Sequence, residues 1–145
     1  MADRQKLIRS VDERASLAFL SRMVQFKSYS NTPGETELAE FMVQSMRALG
    51  LDAELQPVEG MRRNAIGRLR GSGGGKSLLF NGHMDTNPAT EGWTVDPWGG
   101  KVDDKFIYGI GVSNMKAGDA AYFCAVTLCS ATSSASSRAA SARCG

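Results

Sequence analysis

The sequence predicts an α/β fold, and three observations predict it. Two amphipathic helices with their own start signals fill the first third of the chain. Two runs of alternating polarity follow them. An apolar run, Ser77-Leu78-Leu79-Phe80-Asn81, then ends at Gly82, directly before the only histidine in the protein. Short apolar runs bounded by turn residues read as buried strands. His83 and Asp85 are therefore placed where a strand leaves its sheet, which is where ligand sites gather in open α/β sheets.

The first helix is placed from Val11 to about Phe26. Ser10 and Glu13 form a capping-box pattern. Leu17, Leu20 and Val24, and likewise Phe19, Met23 and Phe26, recur at helical spacing. A second helix begins at the capping pattern of Thr32 and Glu35, with Pro33 at its first turn, where a missing N–H costs nothing. Leu38, Phe41, Met42, Met46 and Leu49 give it one apolar face, and Gly50 supplies the left-handed stop. The acids of both helices are expected to face water.

Leu51 to Val58 alternates as a half-buried strand, with Leu51, Ala53 and Leu55 on one side. Asn64 to Arg70 alternates less cleanly and is placed as a second strand. Gly71-Ser72-Gly73-Gly74-Gly75-Lys76-Ser77 resembles a phosphate loop only superficially. The first required glycine falls on Arg70, and a strand follows where that loop needs a helix. A hairpin connection is the better reading. Trp93 and Trp98 are expected to pin the loop of residues 87–96 and its continuation to the body. Asp103-Asp104 is placed at a turn and Phe106 to Tyr108 in a short strand. Gly109 and Gly111 are expected where backbone passes close to a neighbour or takes a positive φ. After Asn114 the chain turns helical and largely apolar through Val126.

Composition narrows the classes. The chain has 145 residues, 42% hydrophobic and 22% charged, which suits one globular domain. A formal net charge of +2 gives little pull on nucleic acid. No apolar run approaches a membrane span of about 20 residues. Met1 to Arg9 is charged and lacks the apolar core of a signal peptide, so a cytoplasmic protein is expected. The three cysteines, Cys124, Cys129 and Cys144, lack metal-type spacing, and an odd count argues against a disulfide framework.

His83 and Asp85 carry the chemistry. Residues i and i+2 of an extended segment point to the same side. A neutral imidazole is the commonest transition-metal ligand, and a ligating histidine usually donates its other ring N–H to a carboxylate or carbonyl. The pair thus has the parts for a ligand and its orienting group. A hydrogen-bonded structural histidine is the simpler alternative.

Three motifs in order, Gly82-His83-Met84-Asp85-Thr86, Asp96-Pro97-Trp98-Gly99-Gly100 and Gly109-Ile110-Gly111-Val112-Ser113-Asn114-Met115-Lys116, resemble the amino-terminal part of the M20 metallopeptidase family. That family includes acetylornithine deacetylase, succinyl-diaminopimelate desuccinylase and glutamate-releasing carboxypeptidases. The resemblance runs from about Val11 to about Val126. It implies an α/β/α sandwich around a mixed sheet, as in zinc-dependent exopeptidases, present here in truncated form. It implies hydrolysis of amide bonds in N-acylated amino acids or small peptides at two zinc ions. His83 falls at a zinc ligand, Asp85 at the catalytic-site carboxylate that supports that histidine, and Asn114 where the family has a metal-bridging aspartate. A carboxamide is neutral and offers one oxygen, so at most one weakly bound zinc is expected. Asn114 as an ordinary helix cap is the alternative. Lys116 is expected to be a solvated or helix-start residue.

The family's general-base glutamate and remaining ligands have no counterpart in the chain. The expectation is therefore an incomplete, inactive hydrolase, or alternatively a non-catalytic interaction module on the same half-sheet. Self-association through exposed apolar surface is expected, and neither a nucleic-acid partner nor a membrane is. Residues 1–126 are read as part of a metallohydrolase domain. Residues 127–145 are Ser- and Ala-rich and are read as a low-complexity tail, disordered or out of frame.

Overall fold

The structure, a computed structural model, describes residues 4–71 and 73–141. Ser72 of the glycine-rich segment, Cys144 and the end of the expected tail lie outside the described residues. A short helix α1, Arg4–Arg9, precedes α2, Glu13–Val24. Asp12, not Ser10, caps α2: its Oδ1 accepts from the Ala15 amide at 2.9 Å. Ser10 instead donates back to the Lys6 carbonyl and closes α1, an element whose single turn carries no apolar periodicity to announce it. An ionised carboxylate two residues nearer the helix is the stronger acceptor for the free amides and the better partner for the helix dipole. Replacing Asp12 by Ala is expected to cost about 1 kcal/mol, read as a lower midpoint in a urea titration followed by circular dichroism.

Helix α3, Pro33–Ala48, starts with proline as expected, but Thr32 does not cap it and donates to the Tyr29 carbonyl instead. Glu35 is buried rather than solvated. Its Oε2 accepts from the Asn31 amide at 2.7 Å, and its Oε1 takes Nε and Nη2 of Arg62 at 3.0 and 2.8 Å. A buried acid persists because both its oxygens are satisfied. Gly50 takes φ +82° and ends the helix.

Strands β1, Asp52–Pro57, and β2, Arg63–Arg68, form an antiparallel pair with Asp52 opposite Arg68 and Pro57 opposite Arg63. Helix α3 packs on this pair: Leu51 and Ala53 are buried, and Arg47 Nε donates to the Ala53 carbonyl at 2.9 Å. The core gathers Leu20, Met23 and Val24 of α2, Leu38 of α3 and Ala120 of α4, Ala117–Ser141. Phe19 stacks on Phe123 at 4.0 Å and on Phe41 at 5.4 Å, joining α2 to both neighbours.

Three expectations of regular structure are corrected. Leu78 to Phe80 is not a paired strand, and Leu78 and Leu79 are 78% and 85% exposed. A strand needs a paired neighbour, and among the described residues no strand or bridge pairing involves this segment; Phe80 rests on Tyr122 of α4 instead, rings 4.8 Å apart. The glycine-rich segment is consequently a free connection rather than a hairpin. Positions 71, 73, 74 and 75 face open space, with Gly73 and Gly74 at positive φ. Phe106 to Tyr108 makes only the isolated bridge of Ile107 with Val102, because Asp103 Oδ1 gathers the amides of Lys105 and Phe106 and turns the chain tightly. Helix α4 also runs through residue 127 without a break, since Ala- and Ser-rich sequence opposes a helix only weakly. Ser130 Oγ donates to the Leu49 carbonyl at 2.6 Å, inside the segment expected to be a tail.

Candidate metal-binding site

Segment 82–86 crosses the start of α4. A Cβ on Gly82 would collide with the Asp119 carboxylate, and Met115 lies within 2.8 Å of the same position. Glycine is therefore required by packing just before His83. Two hydrogen bonds flank Asp85 and fix its backbone. Ser28 Oγ donates to the Met84 carbonyl at 2.8 Å, and the Thr86 amide donates to the Ser28 carbonyl at 2.7 Å. Tyr29 and Thr86 form a parallel bridge.

His83 and Asp85 do meet. His83 Nδ1 lies 3.1 Å from the Asp85 carbonyl and 3.2 Å from Asp85 Oδ1. Both acceptors select the tautomer with the proton on Nδ1, which leaves the lone pair on Nε2. The imidazole is half exposed, at 50% of its side-chain surface. Ser30 Oγ donates to Asp85 Oδ2 at 2.5 Å. That hydrogen bond holds the Asp85 carboxyl below the usual carboxylate range, against partial burial, with smaller help from its own backbone and from His83.

Asn114 lies in a π-helical turn, Val112–Lys116, at the start of α4. Gly111 takes φ +84° before it, and its carbonyl accepts from the amides of Asn114, Met115 and Lys116. Gly109 needs its missing Cβ for another reason: Val24 occupies the place. Asn114 is exposed.

Two groups here were not legible as site residues. Lys116, expected in solvent, is 1% exposed. Its ammonium donates to the carbonyls of Met23 and Phe26 at 3.0 and 3.1 Å and lies 5.9 Å over the Trp98 ring. Trp98 in turn meets Tyr29 edge-on at 5.2 Å, so this tryptophan pins its loop as expected, whereas Trp93 is 40% exposed. Burial pushes the Lys116 ammonium down to about 8, with Asp119 acting the other way. Asp119 is itself buried, and its Oδ2 has no hydrogen-bond partner. Burial raises its carboxyl to about 6, opposed by His83 and Lys116. An acid inside the apolar run from Ala117 to Val126 was the available signal.

The donors fit one metal ligand with its orienting carboxylate, not a closed shell. Zinc takes about four ligands. Among the described residues no three of His, Cys, Asp and Glu converge to hold an ion. A dinuclear centre is not contained in these side chains.

Comparison with known proteins adds the following. The profile described as Peptidase family M20/M25/M40 matches residues 79–136. A succinyl-diaminopimelate desuccinylase of Helicobacter hepaticus is 34% identical over 120 residues, covering 76% of this chain and 30% of its own. An acetylornithine deacetylase of Salmonella arizonae is 44% identical over 70 residues, covering 47% of this chain and 18% of its own. The crystal structure of human carnosine dipeptidase 1 superimposes with a TM-score of 0.72 at 21% identity, over 88% of this chain and 31% of that one. The chain thus spans about 30% of the length of its first relative. Among the described residues no helix is long and apolar enough to cross a membrane.

Proposed function

Because the chain belongs to the M20 peptidase family over the part of that family's length it spans, we propose that it supplies one side of a hydrolase site for amide bonds in N-acylated amino acids or small peptides. The substrate class follows the relatives, whose names specify removal of succinyl and acetyl groups and cleavage of a dipeptide. His83 is the metal ligand through Nε2, and zinc is the metal. Asp85 is the orienting carboxylate, and Asn114 stands at the position of a second ligand. The observation that supports this reading best is the contact of His83 Nδ1 with Asp85, which leaves Nε2 and half the ring open. A structural histidine has no need of an exposed lone pair.

With one imidazole in 145 residues, the chain alone is expected to hold at most one zinc weakly and to turn nothing over. Calorimetric titration with zinc tests this. A single weak isotherm that vanishes in His83→Ala supports the reading. An unchanged isotherm in His83→Ala, two tight ions, or hydrolysis of an N-acetyl amino acid would refute it. The second reading, a non-catalytic module that pairs with another copy, draws on the exposed Leu78 and Leu79. It predicts a dimer by sedimentation and no zinc isotherm.

A further inference from the structure

We propose that Lys116 is a positioning residue, whose buried ammonium sets the placement of His83 and Asp85 relative to the turn that carries Asn114. The inference rests on the reading of the site given above. Two arms leave Lys116. One passes through its own backbone: its amide is one of the three that close on the Gly111 carbonyl, so the side chain and the Asn114 turn move together. The Lys116 stem and the Thr86 methyl both border the space that a Cβ on Gly111 would take.

The other arm passes through the ammonium. It donates to two carbonyls at and just past the end of α2; that of Met23 also accepts from the Phe26 amide at 3.3 Å. One of them, Phe26, also accepts from the Ser28 amide at 2.9 Å. Ser28 is fully buried and makes the two hydrogen bonds that flank Asp85, to the Met84 carbonyl and from the Thr86 amide. The chain of contacts is thus ammonium, Phe26 carbonyl, Ser28, then the backbone on either side of Asp85. Every member is buried or half-buried, so water does not compete along it. An apolar side chain at 116 would fill the volume but leave carbonyls at the α2 terminus without this donor, and the peptide units around Ser28 would be free to turn.

A lysine that only filled the core would affect stability and nothing else. The single histidine of the chain supplies a readout that separates the two roles. In the ¹⁵N-labelled protein, at a pH where the ring is neutral, the unmodified chain is expected to show one protonated Nδ1 and one bare Nε2. Lys116→Met is expected to lose this single tautomer, with the two nitrogen shifts moving toward each other as both forms become populated. Ser28→Ala leaves Lys116 in place but cuts the link to Met84, and is expected to show the same loss in smaller degree. Retention of the wild-type pair of shifts in both variants, even with lowered stability, overturns the proposal. If Lys116→Met does not fold, Ser28→Ala decides alone, and unchanged shifts there overturn it. An unmodified chain that lacks the Nδ1–H form overturns the reading of the site itself, and the proposal with it.

Discussion

Asn114→Asp is expected to tighten zinc binding by about tenfold or more, or about 1.4 kcal/mol, while His83→Ala in the same background removes it. Asn114 sits exposed in the π-helical turn that opens α4, in the region that Gly82 and His83 cross. Its carboxamide presents one neutral oxygen, and its NH₂ turns positive charge toward a cation. Aspartate there has nearly the same shape and offers two anionic oxygens, which attract a cation where the neutral carboxamide does not. A carboxylate in the first turn of a helix also suits the helix dipole, so the fold is not expected to suffer. Turnover is not expected to follow, because the change adds a ligand and no general base. Calorimetry on the two variants and the parent checks this. Equal affinities in Asn114→Asp and the parent would make residue 114 a helix cap and nothing more.

Asp119→Asn is expected to raise stability at pH 8 by about 2 kcal/mol, and the gain is expected to shrink to nothing near pH 4. The folded carboxyl is raised to about 6 from an ordinary value of 3.8. A group raised in the folded state contributes stability that is complete below its unfolded value and is lost as pH rises through the folded one. For Asp119 that window runs from about 4 to about 6. Above it the fold carries a buried carboxylate with one oxygen unbound; asparagine keeps the shape without the charge. Lys116 works in a separate window. Its ammonium is lowered to about 8 from 10.5, so its contribution improves as pH rises from about 8 to about 10.5. Urea midpoints at several pH values, for the parent and Asp119→Asn, check the sign. A gain that persists at pH 4 would assign the effect to packing rather than charge.

The parts of the fold that were legible in the sequence are those that local chemistry decides. The apolar faces of α2 and α3, Pro33 at a helix start, Gly50 at a helix end and the alternation around Ala53 all depend on residues a few positions apart. The pairing of His83 with Asp85 was legible for the same reason, since two residues in an extended segment face one side. What failed depended on neighbours distant in sequence. Leu78 to Phe80 has the composition of a strand, but composition does not supply a paired edge. Ser10 and Asp12 are both good caps, and the choice between them turned on α1, which the pattern did not show. Lys116 was misread because a lysine beside Ala117 and Gly118 resembles solvent-facing sequence. Its burial depends on carbonyls 90 and 93 positions away.

The open glycine segment has a consequence for how the molecule can be handled. At residues 71 and 73–75 a side chain would meet open space, and they join the β1–β2 pair to the segment that carries His83. A tether of this kind does not set the distance between what it connects; contacts elsewhere do. Lengthening it is therefore cheap, at about 0.6 kcal/mol for each doubling of its length. A fluorophore-bearing peptide or a protease recognition sequence inserted there reports on the two sides separately. It leaves untouched the contacts at Gly82, Gly109 and Gly111, where even one added methyl group has no room.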